Sequence, residues 1–233
     1  MDWKMFVLYN GVHYREDIEY SVTNSKIYDH VENIVTRKQS TEVVVSDMKT
    51  LDAALRYRDG KTCVLNFASF KNPGGGFLRG TVAQEEYLCQ NSTLYNVISQ
   101  FSAYYEKNRL NTNDALYWSR AIYSPGIVML PCETKVDVLS CAAPNVRASH
   151  ASDTKKTKAL VSRIKFVLDI LEKEECDTVI LGAFGCGVFG NDPKLVAETF
   201  KRQRVLQRGF SKVIFAIPNE LSVNHHAFKE VFG

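Results

Sequence analysis

Glu85 and Glu86 are adjacent carboxylates that follow the glycine run Gly74-Gly75-Gly76 after the spacer Phe77–Ala83 and Gln84. A carboxyl group can give or take a proton, and a pair of them is the usual equipment for breaking a glycosidic bond. Neighbours on a helix diverge by about 100°, so these two are poorly placed to flank opposite faces of one sugar. The geometry suits a division of labour, in which one carboxylate holds hydroxyl groups and the other donates a proton. Mutual repulsion raises one of the two pKa values, while a nearby helix N-terminus lowers them. Three glycines in a row permit positive φ angles and bring bare backbone N–H groups close to a ligand. Thr81 followed by Gln84 reads as a capping box, which predicts a helix beginning near Thr81. The same residues also fit a plain glycine-rich turn leading into a solvated, capped helix.

A second glycine-rich segment is Gly185-Cys186-Gly187-Val188-Phe189-Gly190, followed by Asn191-Asp192-Pro193. Asn191 or Asp192 can cap a helix, and Pro193 suits its first position. Glycines feeding a helix N-terminus make a phosphate site, because N–H groups point outward and the dipole favours anions. Val188 and Phe189 are apolar within this loop, and a ring there can stack on a base or a ribose or pack into the core. The spacing Gly185-x-Gly187-x-x-Gly190 also matches a dinucleotide fingerprint. That fingerprint normally opens its domain, whereas here little chain follows Gly190, so the nicotinamide or flavin reading is the weaker one.

The elements that must position these loops are legible as apolar runs at Val43–Val45, Cys63–Phe67, Val136–Ala143, Thr178–Phe184 and Lys212–Ile217. Each is nearly continuous rather than alternating, as in strands buried on both faces of a mostly parallel sheet. Both glycine loops directly follow such a run, at the carboxyl ends where open α/β sheets bind ligands. Between the runs, Leu160, Val161, Ile164, Val167, Leu168 and Leu171 recur at helical spacing, as do Leu94, Val97, Ile98 and Phe101, and Asp52–Tyr57 gives a shorter helix. The alternation indicates an α/β layered fold. Residues 1–40 differ: Phe6–Tyr9 and Ile18–Val22 around Asn10-Gly11 predict a β-hairpin, since Asn-Gly suits a type I′ turn. They are read as an extension packed on a main domain over 41–233.

The chain of 233 residues is 45% hydrophobic and 24% charged, ordinary for a soluble globular protein and contrary to long disorder. A net charge of +3 does not imply a nucleic-acid partner. No run approaches a membrane span, and the start lacks a signal-peptide layout. Cys63, Cys89, Cys132, Cys141, Cys176 and Cys186 show no CxxC pair and no His at ligand spacing, which reads as reduced thiols in an intracellular protein without a metal site. His225-His226 is read as surface.

Taken together the two loops resemble the poly(ADP-ribose) glycohydrolase family, in particular its microbial-type branch. The family signature of three glycines, six to eight residues and Gln-Glu-Glu is matched by Gly74-Gly75-Gly76, Phe77–Ala83 and Gln84-Glu85-Glu86. Leu65-Asn66-Phe67-Ala68-Ser69, Asn72-Pro73, Ser92-Thr93-Leu94-Tyr95, Tyr123-Ser124-Pro125, Ala142-Ala143-Pro144-Asn145 and the run Leu181–Asn191 look like family motifs in family order. The resemblance extends from about residue 40 to about residue 217, and the N-terminal segment departs from it, because relatives lead with a helical segment. What it implies is a macrodomain-like layered fold with a mixed, mostly parallel central sheet flanked by helices. It also implies hydrolysis of ribose–ribose bonds in ADP-ribose polymers from chain ends. By the same resemblance Glu86 is the catalytic acid and Glu85 orients the ribose hydroxyls. Asn72, Gly74, Gly75, Gly76 and Gln84 lie along that ribose, and the loop Gly185, Cys186, Gly187, Val188 and Gly190 holds the diphosphate, with its aromatic Phe189 against the ribose. No cofactor or metal is expected. The expected partners are poly(ADP-ribose), ADP-ribose and ADP-ribosylated proteins, met in the cytoplasm or nucleus by a monomer. The alternatives are a macrodomain that binds ADP-ribose without cleaving it, and a hydrolase of mono-ADP-ribosyl groups on protein or nucleic acid.

Overall fold

A computed structural model describes residues 2–32, Ile34, Arg37 and residues 40–233. In chain order its elements are α1 (Trp3–His13), α2 (Arg15–Asn24), β1 (Lys26–Tyr28), β2 (Glu42–Ser46), α3 (Thr50–Tyr57), β3 (Thr62–Phe67), α4 (Gln84–Gln90), α5 (Leu94–Ile98) and α6 (Ser102–Leu110). They continue with β4 (Ala121–Met129), β5 (Thr134–Cys141), α7 (Asp153–Lys173), β6 (Thr178–Leu181), α8 (Pro193–Arg202), β7 (Lys212–Ala216) and α9 (Val223–Phe232). The strands form a seven-stranded sheet ordered β1-β4-β5-β3-β6-β7-β2. β4 runs antiparallel to β5 and β1, and the other neighbours are parallel. The parallel part is the α/β sheet that the apolar runs predict, and its mixed character is the one that the resemblance implies. Its two faces are both covered, which is why the strands read as continuous hydrophobic runs. Cys63 and Leu65 of β3 point into one core with Leu160, Ile164, Val167 and Leu171 of α7, while Val64 points into the other with Leu51, Leu88 and Val97.

Two strands are absent from the apolar-run reading. β4 carries Pro125-Gly126, and its register against β5 shifts between Ser124 and Ile127. A proline is tolerated in a strand at such a bulge, where its missing N–H costs no ladder bond. Gly126 adopts φ +70 there and donates its N–H to Asp137 Oδ1 at 3.0 Å. The other, β1, has only three residues and closes the sheet edge.

The N-terminal hairpin of strands predicted from Asn10-Gly11 is instead a pair of helices. Trp3, Phe6 and Val7 lie at helical spacing, as do Ile18 and Val22, and all five pack against the α3/α4/α5 core. Asp2 caps α1 by accepting from Lys4 N at 3.0 Å, and Asn10 sits buried within the helix rather than at a turn. A local turn signal loses here to an apolar face with a core to bury against. Trp3 and Phe6 rest on Phe77, with centroids 5.1 and 6.3 Å away, so this segment supports the back of the first glycine loop. Of the predicted extension over 1–40, residues 1, 33, 35, 36, 38 and 39 lie outside the described residues. A smaller correction concerns the histidines. His226 is exposed, but His225 lies on the inner side of α9 beside Phe228 and is buried.

Candidate active site

The first glycine loop leaves the end of β3 and returns as α4. This helix begins at Gln84 rather than near Thr81, and its N-cap residue, Ala83, offers no side-chain bond. Thr81 does not cap. Its N–H donates to Gly76 O at 3.2 Å and its side chain lies over Gly76. Gln84 has a different task. β3 pairs with β6 only as far as Val64↔Ile180, so the β6-facing groups of Leu65 and Phe67 lack a strand partner. The Gln84 side chain replaces it, donating to Leu65 O at 2.9 Å and accepting from Phe67 N at 2.9 Å. The amide thus fills the split between β3 and β6 and fixes the first turn of α4, which carries the two acids. Chain connections diverge at this split, leading from β3 towards β4 and from β6 towards β7, the crevice position favoured for ligands.

Glu85 and Glu86 are both buried. Glu85 accepts from Ser69 N at 2.7 Å through Oε2 and from Asn66 Nδ2 at 3.3 Å through Oε1. Glu86 accepts from Gly76 N at 2.8 Å through Oε1, and no donor among the described residues reaches its Oε2. Although helix neighbours diverge at the backbone, one oxygen of each acid returns to Gly75. A Cβ built on Gly75, at φ +57, would lie 2.6 Å from Glu86 Oε1 and 3.0 Å from Glu85 Oε2. Only a glycine leaves room for both carboxylates there. Burial pushes the Glu85 carboxyl up to about 8, against the lowering effect of the Ser69 N–H and Asn66, and the Glu86 charge adds to the rise.

The second loop follows β6 and ends at α8, whose N-cap is Asp192 with Pro193 in the first turn, as the sequence predicts. Asn191 does not cap the helix but is buried, donating through Nδ2 to Pro144 O at 2.8 Å and Gly185 O at 3.1 Å. These bonds tie the loop to the segment after β5. Among the described residues, the consecutive N–H groups of Gly187, Val188 and Phe189 have no acceptor. Such a row of free donors beside a helix N-terminus is suited to an anion. A Cβ on Gly187 would meet nothing within 4 Å. The Cys186 thiol is pushed up to about 12, mainly by burial, which makes it a poor nucleophile.

Phe189 stands between the core and the cleft. Its ring packs edge-on to Tyr117 at 6.0 Å, and it also borders the cleft. Tyr117 in turn stacks on Phe70 at 4.4 Å. The segment behind them is unusual, with Asn113, Asp114, Ala115 and Tyr117 all at positive φ. It is pinned by Arg163 of α7, a buried guanidinium that donates to Ala142 O, to Tyr117 O at 3.0 Å and to Leu116 O at 3.4 Å.

The two loops enclose a cavity of about 320 Å³ that includes Gly75, Gln84, Glu85, Glu86, Gly185, Gly187, Val188 and Phe189 in its walls. A second cavity of about 420 Å³ continues over the ends of β2 and β7 and shares Phe67, Gln84, Ala183 and Gly187 with the first. Other predicted residues stand back from it. Gly74 and Gly76 are buried within the first loop, while Cys186 and Gly190 belong to the second loop but lie outside the lining. Asn72 is exposed on the approach, its N–H bonded to Ser69 Oγ at 3.2 Å. Sequence reasoning gave no role to Asn66 and Ser69, which hold Glu85, or to Ala143 and Ala183 in the wall. A polar Asn66 inside the buried run of β3 was the available signal.

Comparisons with known proteins agree with this geometry. A family model described as microbial-type PARG, catalytic domain, matches residues 5–131. Among solved structures, the poly(ADP-ribose) glycohydrolase of Thermomonospora curvata is 30% identical with a TM-score of 0.83, covering 93% of this chain and 89% of that one. The same enzyme bound to the inhibitor ADP-HPD is 31% identical with a TM-score of 0.80, covering 93% of this chain and 88% of that one. The Deinococcus radiodurans enzyme in complex with ADP-ribose is 30% identical with a TM-score of 0.79, covering 91% of this chain and 96% of that one. A comparison with curated proteins gave no match. The likeness reaches into the N-terminal segment, where the helices α1 and α2 replace the expected departure. With the model spanning more than half of the sequence and the loops, acids and sheet in place, the chain belongs to the microbial-type poly(ADP-ribose) glycohydrolase family.

Proposed function

We propose that the chain hydrolyses poly(ADP-ribose) from its ends, with Glu86 as the proton donor. The observation that supports this is one cleft with two buried carboxylates on one wall and, on the other, the N–H groups of Gly187, Val188 and Phe189, which have no acceptor among the described residues. The terminal ADP-ribose unit lies along it, with adenosine in the larger cavity over β2 and β7, diphosphate on Gly187–Phe189, and the distal ribose between Gly75 and Phe189. Glu85 accepts hydrogen bonds from the ribose hydroxyls. Glu86 protonates the 2′ oxygen of the departing unit as the C1″–O bond breaks. The ribose gains oxocarbenium character, stabilised by the neighbouring diphosphate, and water adds to C1″ with its proton passing to Glu86.

The raised pKa of Glu85 offers a competing reading, in which Glu85 carries the proton. Geometry favours Glu86, because both Glu85 oxygens already accept bonds while no donor among the described residues reaches Glu86 Oε2. The same reading takes ADP-ribosylated proteins as carriers of the polymer and the enzyme as an intracellular monomer. Among the described residues no helix is long and apolar enough to cross a membrane.

The deciding experiment offers polymer and mono-ADP-ribosylated protein to the wild type, Glu86→Gln and Glu85→Gln. Glu86→Gln should lose roughly 10²- to 10⁴-fold in kcat on polymer while still binding ADP-ribose, and Glu85→Gln should raise KM. A wild-type-like rate in Glu86→Gln would sink the assignment. Binding without turnover by the wild type would make the protein a reader, and turnover of the mono-modified protein alone would reassign the substrate.

A further inference from the structure

Three cavities lie in file along one edge of the sheet. The two described above sit at the carboxyl ends of β2/β7 and of β6/β3/β5. The third, of about 590 Å³, continues the line at β4 and β1. Because those two strands are antiparallel within the sheet, the start of β4 and the end of β1 meet at this same edge. The third cavity is bordered by Phe70, Trp118, Lys107, Asn111, Arg120 and Asp29.

Its chemistry is that of a nucleotide site. Trp118 is a large aromatic side chain left 50% exposed at the rim, and such a ring is a platform on which a base can stack. The guanidinium of Arg120 is fixed by Asp29, Asn108 and the Tyr104 carbonyl. Lys107 lies 3.5 Å from the same Asp29, so two cations face one carboxylate. Just outside, Arg109 donates to Lys71 O at 2.7 Å. Neither Arg109 nor Lys71 has a carboxylate partner among the described residues. A basic rim around an aromatic platform complements a base joined to a diphosphate.

The third cavity adjoins the catalytic one through consecutive residues. Ser69 donates its N–H to Glu85 inside the catalytic cavity, and the next residue, Phe70, borders the third one. In the sheet, β4 stands two strands from β3, about 10 Å away at ordinary strand spacing. The polymer unit on the leaving side is attached through the 2′ oxygen of its adenosine, so its adenine must lie close beyond the scissile bond.

We infer that the third cavity binds the adenosine of the polymer unit on the leaving side of the scissile bond, with Trp118 stacking on the adenine and Lys71, Lys107 and Arg109 facing the diphosphate. The inference rests on the glycohydrolase reading and deepens it. It makes this cavity the feature that separates a polymer from an ADP-ribosyl group on a small leaving group.

The test compares kcat/KM on ADP-ribose polymer with that on ADP-ribose carrying 4-nitrophenol at C1″, which has no leaving-side base. Trp118→Ala should lose about tenfold on the polymer and less than about twofold on the nitrophenyl substrate, and Trp118→Phe should recover most of the loss. Lys71→Gln, at an exposed position, should weaken the salt dependence of the polymer KM and serves if Trp118→Ala does not fold. Equal losses on both substrates, or no loss on the polymer, overturn the inference. A wild type that cleaves neither substrate overturns the glycohydrolase reading itself and this inference with it.

Discussion

Gly75→Ala is the sharpest perturbation of the catalytic loop, because its consequences can be worked from two distances. The residue sits at φ +57, where an L side chain costs about 1–2 kcal/mol. At 2–4 °C per kcal/mol for a chain of this size, Tm should fall by roughly 2–8 °C. The larger effect is local. The new methyl would lie 2.6 Å from Glu86 Oε1 and 3.0 Å from Glu85 Oε2. To regain ordinary contact the Glu86 carboxylate must retreat by roughly 0.8 Å, and a misplacement of that order costs about 10²-fold in rate. That movement also strains its bond from Gly76 N. Release of ADP-ribose from polymer should therefore show kcat reduced about 100-fold, with KM changed far less than kcat. Thermal denaturation supplies the second readout. A variant with lowered Tm and undiminished kcat would refute the claim that Gly75 sets the position of the carboxylates, and a fully stable, inactive variant would refute the strain argument.

Two further outcomes follow from the same site. Glu85 is held up to about 8 by burial, above its ordinary 4.5. The folded state thus keeps a proton that the unfolded chain releases, and this contribution is full below about pH 4.5 and lost as pH rises through about 8. Tm measured from about pH 5 to 9 should fall less steeply for Glu85→Gln than for the wild type, whereas parallel curves would contradict the burial argument. Gly187→Ala should fold normally, because its Cβ meets nothing within 4 Å and its φ is not positive; stability should stay within about 0.5 kcal/mol. Its methyl would stand among the free N–H groups, so calorimetry should show ADP-ribose affinity reduced roughly tenfold, and unchanged affinity would move the diphosphate elsewhere.

The parts of this site that were legible in the sequence are those fixed by covalent spacing. Glycines after buried runs, Asp192-Pro193 at a helix start, and two acids in the first turn of α4 all stand where local pattern puts them. What escaped depends on partners distant in the chain. Thr81 and Gln84 form a credible capping box locally, yet Gln84 is claimed by the open edge of β3 and Thr81 by Gly76. Asn10-Gly11 is a turn signal, but the apolar stripe around it had Phe77 and the α5 core to cover, and the helix won. β4 hid behind Pro125-Gly126, since a bulge is recognisable only once β5 is alongside. Asn66 was visible as a polar residue in a strand, but its role appears only when Glu85 is folded back onto it.

Arg163 gives the wall behind Phe189 a property that a surface loop would lack. Its guanidinium joins α7 to the carbonyls of Leu116, Tyr117 and Ala142, residues 21 to 47 positions away in the chain. Removing it would leave buried acceptors unsatisfied, so this segment cannot open without undocking from the longest helix. The aromatic wall is therefore already ordered before substrate arrives. A flexible polymer gives up its own freedom on entering the cleft, but this side of the protein has little left to lose, and association is correspondingly less costly in entropy.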